Sequence, residues 1–262
     1  MASQDLNNDN LSIFALPPLP ACVSMAQKRL GAGHMIENPP LLTIHRGHGR
    51  ASPALIEAFR GALTSHLVDA MEGRGAVDWQ IKPLDPANAS FVGPALTAHS
   101  YPADVFGMIG AALEAEPGDV IMCANEAYTG TAVIGDLAAG IMRNKGVAAF
   151  VTDGLARDRA GIVATGLPLF ARGISPNSPA SSGPGRVGAP VVLGGVQVCS
   201  GDIVVGDADG VVVIPLAKAE AVLEKLHMVK AAEKAAEDSV KAGATSLASW
   251  HEIHRHARIL QS

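Results

Sequence analysis

The chain has 262 residues, 48% of them hydrophobic and only 17% charged, a balance that excludes a disordered tail or a coiled coil and suits one large domain or two small ones. Twenty Lys and Arg against 25 Asp and Glu give a net charge of −5, so no basic field is available to hold a nucleic acid backbone. With 4% aromatic residues and 28 glycines, the core must be built from Ala, Val, Leu and Ile at close backbone approach, and a mean hydropathy of +0.24 points to buried subunit interfaces.

Residues 1–34 differ in character from the rest of the chain and read as a mobile arm. Leu11 to Ala26 is apolar, but Pro17, Pro18 and Pro20 interrupt it and Asp5 and Asp9 replace a positive lead, so it makes a poor signal peptide. No stretch reaches the roughly 18 apolar residues of a membrane span; the expectation is a cytoplasmic protein without membrane contact. Cys22, Cys123 and Cys199 lie far apart with no C-x-x-C pair, which argues for reduced thiols rather than a disulfide framework or thiolate zinc site.

From Pro53 to Met71 the apolar positions recur near helical spacing, with Gly61 and Thr64 able to split the stretch in two. A strand from Phe91 to His99, a helix through Phe106, Ile109 and Leu113, and a strand from Asp119 to Cys123 come next. Gly135 and Asp136 open a short helix whose Leu137, Ile141 and Met142 share one face, with Arg143 and Lys145 in its last turn and Gly146 beyond it. Val147 to Thr152 then reads as a buried strand closed by Asp153 and Gly154, which puts Leu155, Ala156, Arg157 and Asp158 on a loop at the strand's C-terminal end. Residues 168–172, 190–198, 203–205 and 211–214 read as strands around Gly194-Gly195, Gly201-Asp202 and Asp209-Gly210 turns. Residues 217–241 form a helix with Val222, Leu223, Leu226 and Val229 inward and Gly243 as its stop, and Ser249 with Glu252 is a capping-box pattern for a last helix to about Leu260. The alternation of types predicts a mixed α/β domain over 35–215, with a helical C-terminal extension over 216–262.

Twenty residues separate Asp136 from Arg157, so a helix N-terminus and a strand's C-terminal end lie one α/β unit apart and can meet. The backbone N–H groups of Gly135, Asp136, Leu137 and Ala138 together with the Arg157 fork suit a carboxylate, and Asp158 offers hard oxygens to a divalent cation such as magnesium. A 2-oxo acid fits such a site. The same residues also admit a plainer reading, with Asp136 an N-cap and Arg157-Asp158 an ion pair in a turn. The His251, His254, His256 set and the His45, His48 pair lack a defined third ligand and are set aside as a metal centre. Gly183-Pro184-Gly185 lacks the strand-to-helix context of a dinucleotide loop, and no G-x-S-x-G occurs.

Together Gly135-Asp136-Leu137, the twenty-residue gap, Val151 to Asp158, Phe170 to Gly173, Gly194-Gly195-Val196, Gly201-Asp202 and Asp207 to Pro215 resemble the RraA-like family over about residues 53–215. That family includes the metal-dependent 4-hydroxy-4-methyl-2-oxoglutarate / 4-carboxy-4-hydroxy-2-oxoadipate aldolases and the ribonuclease regulators of the same fold. The resemblance implies a β-rich sandwich or barrel core of the swivelling β/β/α type flanked by helices, assembled as a homotrimer or homohexamer with sites at subunit boundaries. It implies a lyase that releases pyruvate from a 4-hydroxy-2-oxo acid, with oxaloacetate decarboxylase activity as a companion and Mg2+, or Mn2+, as cofactor. Asp158 would be the metal ligand and Arg157 the contact to the substrate. Gly135 to Ala138 would cradle its carboxylate, and Asp136 would orient water. Regulators typically lack the aspartate of the Arg-Asp pair, so Asp158 favours catalysis over binding of a ribonuclease or helicase alone. Two departures from the aldolase pattern are Arg159-Ala160-Gly161, where an acidic residue is frequent, and Asn125 to Gly130 in place of a glycine-rich lead-in.

Overall fold

Residue 93 has no room for a side chain, because a Cβ there would lie 2.2 Å from the Gly118 carbonyl oxygen, and this contact sits in the strand that organises the whole molecule. The computed structural model describes residues 39–260, so the expected arm over 1–34 and Cys22 lie outside the described residues. In chain order the elements are β1 (Leu42–Ile44), α1 (Pro53–Ala58), α2 (Thr64–Ala70), β2 (Lys82–Pro83), β3 (Phe91–Ser100), α3 (Phe106–Glu114), β4 (Val120–Ala124) and β5 (Ala132–Ile134). There follow α4 (Asp136–Asn144), β6 (Ala149–Thr152), β7 (Leu155–Ala156), α5 (Arg159–Thr165), β8 (Leu169–Ala171), β9 (Gly173–Ile174) and β10 (Gly185–Val187). The chain ends with β11 (Val191–Leu193), β12 (Val196–Val198), β13 (Ile203–Gly206), β14 (Val211–Ile214), α6 (Ala219–Lys241) and α7 (Ala248–Arg255).

All ten residues of β3 are buried, which explains its continuous run of apolar and small residues rather than an alternating one. Its first half pairs antiparallel with β13, Phe91 opposite Gly206 and Pro94 opposite Ile203. Its second half pairs parallel with β4, Ala95 opposite Val120, and antiparallel with β10. The main sheet runs β1-β10-β3-β4-β6-β8-β2, with β13 and β14 attached through β3. A smaller sheet, β5-β7-β9, is wholly parallel.

One face of the main sheet buries Ile121, Phe150 and Leu169 against α3, α4 and α5 through Met108, Met142 and Ile162. The other face buries Met122, Val151 and Phe170 under the β11–β12 hairpin through Val191, Leu193 and Val198. A third cluster joins α1, α2 and α6 to β13 and β14 through Phe59, Leu67, Ile203 and Leu226. The result is the expected mixed α/β architecture, sheet and β-layer on one side and helices on the other, with a helical C-terminal extension. Phe150 is fully buried, and Phe150→Ala is expected to lower unfolding free energy by about 3–5 kcal/mol in urea titration.

Several local expectations are corrected. The buried face of α4 is Ala139 and Met142, whereas Leu137 and Ile141 are largely exposed, because β5 hands the chain into α4 beside a cavity rather than onto the core. Leu155 and Ala156 are a short strand, not loop, since they pair with β5 and β9. Ser249 caps nothing: α7 begins at Ala248 behind Leu247 with no side-chain cap and ends at Arg255. Cys123 is a free, fully buried thiol that burial pushes up to about 12. Among the described residues, no helix is long and apolar enough to cross a membrane.

Candidate active site

The twenty-residue gap between Asp136 and Arg157 is spanned by α4, β6 and the turn into β7, and the parallel β5–β7 pairing then returns the chain to where it started. The backbone N–H of Arg157 donates to the Ile134 carbonyl at 2.9 Å, so the end of β7 lies beside the start of α4. Gly135 is the N-cap residue of α4, at φ −130° and ψ −176°, a conformation open to any residue. Its need for glycine is spatial: a Cβ there would lie 2.8 Å from Asp158 Oδ2 and 3.2 Å from Arg157 Nε. The helix N-terminus and the Arg-Asp pair therefore face each other at contact distance.

Asp136 is the first residue of α4 rather than its cap, and its Oδ1 accepts from the Leu137 N–H at 2.7 Å. The helix α5 crosses directly over it, since a Cβ on Gly161 would lie 2.4 Å from Asp136 Oδ2. Gly161 is thus a site residue that sequence reasoning passed over, noted only as a departure from an acidic pattern. Arg159, in the same departure from that pattern, is turned away and donates through Nε and Nη2 to the Leu84 carbonyl at 3.1 and 2.8 Å.

Asp158 occupies the left-handed region at φ 59°, ψ 42°, at the N-cap position of α5. For a non-glycine residue this costs roughly 1–2 kcal/mol, least for Asp and Asn. An aspartate at that position ordinarily caps its own helix, which contributes about 1 kcal/mol. Here its side chain makes no cap hydrogen bond and turns instead toward Gly135 and Arg157, with Oδ2 3.3 Å from Arg157 Nε. Both side chains are partly open to solvent, at 38% for Arg157 and 46% for Asp158. The ion pair of the plainer sequence reading is present, but in a conformation that gives up helix stability to hold a carboxylate at the pocket. Strain of this kind concentrates at functional sites.

Arg157 Nη1 donates to Ser178 Oγ at 2.6 Å. Ser178 sits on a loop held by the Ala132 N–H to the Asn177 carbonyl at 3.0 Å and by Asn177 Nδ2 to the Gly130 carbonyl at 2.9 Å. A cavity of about 200 Å³ gathers Gly135, Asp136, Leu137, Ala138, Arg157 and Asp158 together, with Val105, Met108 and Pro179 as an apolar wall. These six are the residues to which the resemblance assigns a site role, and all of them line this cavity; the wall and Ser178 come from segments with no motif of their own.

Among the described residues no group of three or more His, Cys, Asp or Glu side chains is placed to hold a metal ion, so the His251, His254, His256 set forms no centre. Asp158 fits a hard cation in a different way. It presents one partly exposed carboxylate bound by no backbone N–H, and magnesium commonly takes one or two carboxylates and fills its other positions with water and substrate oxygens. Asp153, at the end of β6, is not such a group. It is buried, which raises its carboxyl above the usual range, and both its oxygens are taken by the Asn125 and Ala127 N–H groups at 2.6 and 3.0 Å.

The sequence model of the RraA-like family, described as Aldolase/RraA, matches residues 64–213. A protein of Halalkalibacterium halodurans named "Putative 4-hydroxy-4-methyl-2-oxoglutarate aldolase" is 35% identical over 201 residues, 77% of this chain and 95% of that protein. A crystal structure from Pseudomonas syringae pv. tomato is similar with a TM-score of 0.67 at 25% identity, over 76% of this chain and 97% of that one. Streptomyces coelicolor RraAS2, described as an unusual member of the RNase ES inhibitor RraA protein family, is similar with a TM-score of 0.64 at 26% identity, over 72% and 98%.

Proposed function

The chain belongs to the RraA-like family, and from that premise we propose that it is a carbon-carbon lyase releasing pyruvate from a 4-hydroxy-2-oxo acid of the 4-hydroxy-4-methyl-2-oxoglutarate or 4-carboxy-4-hydroxy-2-oxoadipate type. The observation that carries this reading is Asp158, held left-handed and uncapping beside Arg157 at the mouth of α4. The N–H groups of the first turn of α4 and the Arg157 guanidinium bind the substrate carboxylate and orient its 2-oxo oxygen. When the C3–C4 bond breaks, its electron pair moves into the enolate of pyruvate, and the positive field of Arg157 and the helix end opposes the negative charge that builds there. Asp136 orients water to take the 4-hydroxyl proton as the new carbonyl forms, and a proton returned to C3 completes pyruvate. Asp158 is the residue that would hold Mg2+, or Mn2+, which when bound supplies Lewis-acid stabilisation of that same charge. Among the described residues no lysine lines the cavity, which favours this route over a Schiff base. Oxaloacetate decarboxylation passes through the same enolate and is the expected companion activity. A trimer or hexamer and a cytoplasmic setting complete the proposal.

The test is a panel of 4-hydroxy-2-oxo acids and oxaloacetate with pyruvate detected. Release from at least one hydroxy acid is expected; no release from any, with specific capture of a ribonuclease or helicase, would favour the regulator reading that the likeness to RraAS2 suggests. Ser178→Ala removes the acceptor that fixes Arg157 Nη1. It is expected to reduce kcat/KM about tenfold, chiefly through KM, in steady-state pyruvate release, with unfolding free energy changed by no more than about 1 kcal/mol.

A further inference from the structure

A second cavity, of about 300 Å³, opens between the end of α2, the turn after it, the β12 and β14 strands and the start of α6. It shares no residue with the cavity at Asp158. Met71, Val196, Val213 and Val222 give it an apolar floor. One wall is fixed in place: a Cβ on Gly75 would lie 2.5 Å from Met71 Cε and 2.7 Å from the Val213 carbonyl oxygen, so the turn is seated tightly on β14. The opening carries three cations, Arg74, Lys218 and Lys225, against a single carboxylate, Glu72.

Lys225 is spent on that carboxylate, with Nζ 2.6 Å from Glu72 Oε1. Its hydrogen bond and charge, with the further charges of Arg74 and Lys218, hold the Glu72 carboxyl below its usual range, so the other two cations stand close to the same spot. Neither Arg74 nor Lys218 has a side-chain hydrogen bond or ion pair with a described residue. An apolar floor under three cations facing one carboxylate is the lining of a pocket for an amphiphilic anion: the floor takes a hydrocarbon body, and the excess positive charge takes the charged end.

We propose that this groove binds a small organic carboxylate with an apolar body, the carboxylate lying between Arg74 and Lys218 and the body on Val196, Val213 and Val222. The site stands apart from the proposed lyase chemistry and does not depend on it.

The experiment uses the full chain, with hexanoate as probe and acetate and 1-hexanol as the separate halves, at constant ionic strength, read by calorimetry and by methyl resonances. Hexanoate is expected to bind saturably, at least about tenfold more tightly than either half, and to shift the methyls of Val196, Val213 and Val222. The Arg74→Gln, Lys218→Gln double variant is expected to weaken hexanoate at least about tenfold, with hexanol unaffected. Absence of saturable binding, equal affinity for acetate, or shifts confined to Val105 and Met108 of the other cavity would each overturn the proposal. So would a double variant that changes oligomeric state while the wild type ignores hexanoate, which would give the groove to a second copy of the chain. The wild-type methyl shifts decide the matter even where the double variant fails to fold.

Discussion

Asp158→Asn is expected to reduce pyruvate release by about a thousandfold or more while leaving the fold intact. Asparagine has almost the same volume and is, with aspartate and glycine, among the residues that accept the left-handed backbone found at this position, φ 59° and ψ 42°. The carboxylate makes no cap to α5, so no helix hydrogen bond is lost. What disappears is the negative charge that would hold a cation beside Arg157. The measurement pairs steady-state pyruvate release with thermal unfolding. A melting temperature within a few degrees of wild type and activity lost even at high Mg2+ or Mn2+ is the expected pair of results. A variant that retains a tenth of the wild-type rate would show that Asp158 is only a turn residue.

Gly135→Ala is expected to cost about a hundredfold in kcat/KM, with a stability change of no more than about 1 kcal/mol. The backbone at 135 is extended, so alanine meets no conformational penalty. Its methyl group, however, falls 2.8 Å from Asp158 Oδ2 and 3.2 Å from Arg157 Nε, inside van der Waals contact, and both groups must retreat from the mouth of α4. Gly140→Ala in the same helix is the control. The nearest atom to a Cβ there is Thr165 Cγ2 at 3.8 Å, and replacing a helix-interior glycine by alanine stabilises by roughly 0.5–1 kcal/mol. Kinetics and urea unfolding of the two variants separate site geometry from helix stability. Equal activities would remove the argument that the pair is positioned against α4.

The juxtaposition of Asp136 with Arg157 and Asp158 is legible in the sequence because one α/β unit has a nearly fixed length. A helix that starts at 136 and a buried strand that ends at 152 leave little choice about where residue 157 returns. The strands β3, β4 and β6 are legible for a related reason, since burial on both faces demands unbroken apolar runs. The strands β5, β7 and β9 are two or three residues long and carry no periodicity. They exist because the main sheet brings their backbones alongside one another. Ser178 is hidden for the same reason: its loop is held by a hydrogen bond donated to the Gly130 carbonyl and one accepted from the Ala132 N–H, over forty residues away. Leu137 and Ile141 misled because helical spacing identifies a shared face without saying whether that face meets the core or open water. Asp158 is the instructive case. The sequence offers it as a loop carboxylate, either a cation ligand or half of an ion pair with Arg157, and only the folded chain reveals the helix α5 behind it, the left-handed backbone and the absent cap.

The most direct measurement is pyruvate release by wild-type protein stripped with EDTA, dialysed, and then supplied with Mg2+ or Mn2+. The account predicts that the stripped protein is inactive toward 4-hydroxy-2-oxo acids and that the added ion restores the wild type but not Asp158→Asn. Full activity in the continued presence of EDTA, or restoration of both proteins alike, would contradict it.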